Sequence, residues 1–158
     1  MSHDVNKTIN DFEAGIQRVR DAFAGLTDAD LDTKPSDGTW TLRQIAYHLA
    51  HSDAIGIDRM LRIAFEQKPP LLIGYDETAG TLALYSDAHP IEELLTLFDL
   101  NRKAFVRIAR RLPGGSWERF GIHSEAGKTT LLEQLRKYVQ HADHHLVFVM
   151  QKRTTLGK

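Results

Sequence analysis

The sequence has 158 residues, 42% of them hydrophobic and 26% charged, with a formal net charge of -1 and no cysteine. That length allows one domain with a sizeable core, and the near-zero charge offers no basic surface for nucleic acid or an anionic membrane. The lack of cysteine excludes disulfides, thiolate metal ligands and a cysteine nucleophile together.

No apolar run approaches the roughly 20 residues of a membrane span. Met1 to Asn10 is polar and lacks the apolar core of a signal peptide, so a cytoplasmic protein is expected. Residues 1–158 read as one domain.

Four stretches repeat apolar residues at helical spacing. The first runs from Val5 to Gly25, with Val5, Ile9, Phe12, Ile16, Val19 and Phe23 on one face and Gly25 as its stop. Leu26 to Thr39, with Pro35, Ser36, Asp37 and Gly38, reads as a loop. The second helix starts between Thr39 and Thr41 and continues to about Glu66, with an inward stripe of Leu42, Ile45, Leu49, Ser52, Gly56, Met60 and Ile63. Pro69 and Pro70 end it.

A long connection without strong helical periodicity follows, through Tyr75, Asp76, Glu77 and Gly80 to His89. Connections of this length are often functional, and this one could run along the bundle or cover a site. Pro90 opens the third helix, which buries Ile91, Leu94, Leu95, Phe98, Phe105 and Leu112 and stops at Pro113-Gly114-Gly115. Arg119 to Thr129 suggests a small hairpin. The fourth helix opens at Thr129-Thr130, where Glu133 completes a capping box, and runs to about Arg153. Its expected seam is Leu132, Leu135, Val139, Ala142, Leu146 and Val149. The fold class is all-α, a four-helix bundle with a long crossover between the second and third helices.

Among eight histidines, His141 and His145 are four apart and project from one helical face. They extend the apolar arc, whereas His144 points toward Glu133, Lys137 and Gln140 and should be solvated. Imidazoles at a core edge need partners: backbone carbonyls, carboxylates or a metal. His48, between Ile45 and Leu49, also projects inward and is either a third ligand or a hydrogen-bonded core histidine. Three histidines and water would form an open, catalytic type of site. Asn101 is a candidate supporting partner or a satisfied core polar group.

Trp40-Thr-Leu-Arg-Gln-Ile-Ala-Tyr-His48-Leu-Ala-His-Ser, with Tyr138-Val-Gln-His141-Ala-Asp-His-His145, resembles the DinB/YfiT-like superfamily. Tyr75-Asp76-Glu77 and Phe120-Gly-Ile-His123 are similar to its YfiT branch, and the motifs keep their order from Trp40 onward. The resemblance implies a four-helix bundle, a homodimer as in relatives, and one divalent nickel or zinc ion on His48, His141 and His145. Arg59 matches a family arginine able to hold an anionic substrate group or to form a structural ion pair. The sequence departs from the branch at His51, where aspartate is usual, and at Asn101, where histidine is expected.

Characterised relatives include S-transferases using bacillithiol- or mycothiol-like thiols. The first functional reading is therefore transfer of a low-molecular-weight thiol to a small electrophile, with the thiol activated by the metal. The second is metal-dependent hydrolysis, with Asp53, Asp76 and Glu77 as candidate bases. A non-catalytic metal-binding stress protein is the third.

Overall fold

The computed structural model describes residues 2–34, 39–84 and 89–158. The loop expected at Pro35, Ser36, Asp37 and Gly38 lies outside the described residues, as does the end of the long connection at 85–88. In chain order the elements are α1 (His3–Phe23), α2 (Asp28–Asp32), α3 (Leu42–Phe65), β1 (Leu71–Leu72), α4 (Glu77–Leu84) and α5 (Ile91–Ala109). A 3-10 turn (Gly114–Glu118), β2 (Phe120–His123), β3 (Gly127–Thr130) and α6 (Leu131–Thr155) complete them.

The four long helices are those expected from periodicity. α1 and α3 each pack against α5 and α6, which places α1 and α3 on one diagonal of a four-helix bundle and α5 and α6 on the other. Their ends follow local chemistry. Gly25 adopts φ 73° just beyond α1, a left-handed conformation that residues with a Cβ rarely take. Thr41 caps α3 with Gln44 in a reciprocal box, and Thr130 caps α6 with Glu133 in the same way.

Two segments expected to be irregular contain structure. α2 interrupts the first loop, held by a capping box between Thr27 and Asp30 and by one buried residue, Leu31. The long connection contains β1 and α4. β1 adds a parallel strand to the antiparallel β2–β3 hairpin, so the hairpin expected near Arg119 to Thr129 forms the centre and edge of a three-stranded sheet. The seam of α6 is rotated from the expected one. Leu131, Gln134, Leu135, Tyr138, Ala142 and Val149 are buried, while Leu132, Val139 and Leu146 are only half-buried. Gly56 on α3 accounts for part of this, because a Cβ there would overlap the Tyr138 ring.

The core has two halves. One gathers Ile9, Phe12, Met60, Phe105, Leu135 and Tyr138, and the other Val19, Ile45, Leu49, Leu94, Phe98 and Val149. Arg102 on α5 joins them, its guanidinium lying 4.1 Å from the Phe12 ring centroid and 4.3 Å from that of Phe98. It is fully buried and bonds three other helices: the Phe12 carbonyl of α1 at 2.9 Å, Asp53 of α3 at 2.5 Å and the Tyr138 carbonyl of α6 at 3.0 Å.

Among the described residues, no helix is long and apolar enough to cross a membrane.

Candidate metal centre

The packing of α3 against α6 brings His48 to the pair His141 and His145. Their ring centroids are 4.9 Å (48 to 141), 4.6 Å (48 to 145) and 4.7 Å (141 to 145) apart. One nitrogen from each ring lies within 4.8 Å of the other two, and the Nε2 atoms of His48 and His141 are 2.9 Å apart.

Burial and mutual repulsion keep these rings neutral. Burial, reinforced by His145, lowers His48 to about 4; burial, reinforced by both other histidines, lowers His141 to about 3. Burial and the neighbouring His144 lower His145 to about 4. Neutral imidazoles present lone pairs, the form a cation requires.

Among the described residues no backbone carbonyl is hydrogen-bonded to the three rings, and buried His141 Nδ1 has no partner. An ordinary core histidine would be satisfied there. The donor set therefore fits a divalent cation better than a hydrogen-bonded core cluster, and three imidazoles suit a first-row ion such as zinc or nickel.

Trp40, just before α3, braces the cluster. Its ring is 4.8 Å from that of His48 and stacks on His145 at 6.0 Å with an 8° interplanar angle. This role was not read from the sequence, where Trp40 figured only as a motif residue. His144 is exposed against Phe148, as expected from its facing. His51 is also exposed and lies on Tyr47, and Asn101 donates to the Ala50 carbonyl at 3.4 Å, a satisfied polar group on the inner face.

The acidic candidates separate. Glu77, in the first turn of α4, brings its Oε2 to 3.9 Å from His48 Nε2. Asp76 caps the same helix, accepting from the Ala79 amide at 2.8 Å. Asp53 has a fully buried side chain with both oxygens on Arg102, so neither oxygen is available as a base. Arg59 is buried, donates to the Ile73 carbonyl, and lies 5.8 Å from the Tyr75 ring centroid. It thus ties the connection to the bundle. His123 is buried and accepts the Glu125 and Ala126 amides on Nδ1, which organises the hairpin turn.

Two cavities reach the cluster. A cleft of about 490 Å³ has His145, Trp40, Ile45, Phe148, Gln151 and Lys152 in its wall. A smaller cavity of about 150 Å³ reaches His48 and is lined by Ser52, Tyr75 and Glu77.

A family model described as the DinB superfamily matches residues 11–149. The chain belongs to the DinB superfamily. It is 30% identical over 145 residues to the "Putative metal-dependent hydrolase OB0782" of Oceanobacillus iheyensis, spanning 92% of this chain and 83% of that one. The structure of YfiT from Bacillus subtilis, described as "a probable metal-dependent hydrolase with an unusual four-helix bundle topology", matches with a TM-score of 0.89 at 27% identity. That match covers 99% of this chain and 90% of YfiT. A mycothiol-dependent maleylpyruvate isomerase shares the fold at a TM-score of 0.72 and 14% identity, over 93% of this chain and 62% of the isomerase.

Proposed function

We propose that this DinB-superfamily chain is a metal-dependent enzyme that joins a low-molecular-weight thiol, of the bacillithiol or mycothiol kind, to a small electrophile. His48, His141 and His145 hold one divalent ion, zinc or nickel. The observation that carries this reading is the convergence of three neutral imidazoles, one of which, His145, stands in the wall of an apolar-sided cleft. When bound, the metal supplies a positive charge that lowers the pKa of a thiol or water beside it.

The protein's own groups do the rest. Trp40 holds two of the rings in place, and Glu77 Oε2 takes the proton that the nucleophile loses. The thiolate sulfur forms a bond to the electrophilic carbon as that carbon's leaving group departs with its electron pair. A chain without cysteine must obtain this sulfur from a cosubstrate. The apolar wall of Trp40, Ile45 and Phe148 favours sulfur over water, because a thiol behaves as a small hydrophobe. Arg59, Asp53 and Asp76 are assigned to structure in this reading. A cytoplasmic, homodimeric protein is its setting.

Hydrolysis is the second reading. The names of the relatives favour it, as does a carboxylate placed where it could deprotonate water.

The metal-loaded protein should be assayed with a panel of low-molecular-weight thiols against 1-chloro-2,4-dinitrobenzene, and separately with p-nitrophenyl esters. Saturable thiol consumption that disappears in His141→Ala supports transfer. Ester hydrolysis without thiol dependence supports the second reading.

A further inference from the structure

We infer that the cleft beside His145 selects acids: the substrate that reacts at the histidine cluster rests an apolar body on Trp40 and Phe148 and pairs a carboxylate with Lys152. This inference rests on the reading that the cluster is a reaction centre.

The register of α6 sets the arrangement. His145, Phe148 and Lys152 stand at i, i+3 and i+7, one face of the helix, so Lys152 lies roughly 10 Å along the axis from His145. All three line the 490 Å³ cleft, and Trp40 and Ile45 supply its opposite, apolar side. A ligand entering there meets rings near the histidines and a single ammonium farther along.

Lys152 differs from the other cations at this end of the helix. Arg153 spends its guanidinium on the carbonyls of Ala22 and Ala24, and Lys158 pairs with Asp30 at 3.3 Å. Lys152 Nζ has the Thr39 hydroxyl at 3.3 Å and, among the described residues, no carboxylate within ion-pair distance. Burial already disfavours its charged form. A half-buried ammonium facing an apolar cleft gains from an anion, and a carboxylate there would make a charge-assisted hydrogen bond. The Gln151 amide, also in the wall, can donate a second one.

The test uses 4-phenylbutyrate and its neutral counterpart 4-phenylbutanol as probes, titrated calorimetrically into the metal-loaded full chain. Wild type is compared with Lys152→Gln, Lys152→Arg and His141→Ala, and metal content is measured on every sample. The acid is expected to bind about tenfold more tightly than the alcohol. Lys152→Gln should abolish that preference, Lys152→Arg should keep most of it, and His141→Ala should keep it without metal. Equal binding of acid and alcohol, no saturable binding, or a preference that survives Lys152→Gln would overturn the inference. So would a preference lost only in His141→Ala, which would place the carboxylate on the metal. Wild type that binds no metal yet prefers the acid through Lys152 would refute the reaction centre while leaving the acid-selective cleft standing.

Discussion

The Nε2 atoms of His48 and His141 face each other at 2.9 Å, so a proton can sit between them on only one ring. With His145 alongside, a second positive charge in this space would have, among the described residues, no counter-charge within ion-pair distance except Glu77, 3.9 Å from His48. The cluster therefore resists protons and offers lone pairs, and acid should act against it.

In the metal-free protein, the folded-state pKa values of His48 and His145 lie near 4 and that of His141 near 3, below the ordinary 6.5. Above pH 6.5 both folded and unfolded forms carry these rings neutral, and they contribute no pH dependence. As pH falls below 6.5 the unfolded chain takes up protons that the folded chain refuses, so stability declines, down to about pH 4 for two rings and pH 3 for the third. Urea midpoints measured from pH 7.5 to 4.5 should fall with pH. The fall should be shallower in a variant with all three histidines replaced by glutamine.

Trp40→Ala removes the ring that rests on His48 and stacks on His145. Looser imidazoles should bind metal roughly tenfold more weakly, by analogy with other residues that orient ligands. Trp40→Phe should lose less. Competition with a chromophoric chelator measures both.

Glu77→Gln keeps the shape of the side chain and removes its ability to accept a proton. The turnover number should fall about 100-fold while bound metal stays stoichiometric. Steady-state kinetics and elemental analysis of one preparation check the pair of outcomes together. An equal loss of metal would make Glu77 a ligand instead.

Arg102 and Asp53 are a stability prediction. Removing one partner leaves the other charge buried, so Asp53→Asn or Arg102→Met should each cost about 3–5 kcal/mol in urea unfolding. The double variant Asp53→Asn with Arg102→Met should be less damaged than the two single losses added together.

Gly56→Ala places a Cβ against the Tyr138 ring, three residues before His141. It should cost about 1–3 kcal/mol through overpacking. Thermal unfolding reads the cost, and metal titration reads whether the α6 turn carrying His141 shifts with it.

The bundle was legible because its helices are long and their buried stripes repeat. All of Leu42, Ile45, Leu49, Ser52, Gly56, Met60 and Ile63 are buried as the spacing predicts. Helical facing separated the three histidines from His51 and His144, and the resemblance chose the ligand reading of His48 over that of a core histidine. α2 and α4 were not legible, since one buries a single leucine and the other opens on a cap with small residues behind it. Arg102 is the instructive miss. It stands between Phe98 and Phe105 on a buried face, a placement that flags an arginine as paired, but its partner lies 49 residues away in the chain. Tertiary pairing of that kind leaves no local trace. For the same reason Asp53 looked like a free carboxylate, and Trp40 looked like a motif letter with no task.

The most direct measurement is metal stoichiometry by elemental analysis on protein purified without a histidine tag. Wild type and His144→Ala should carry close to one divalent ion per chain, and His48→Ala, His141→Ala and His145→Ala should carry almost none. Wild type that stays empty after loading, or metal retained in all four variants, would contradict the account and return the three histidines to the core.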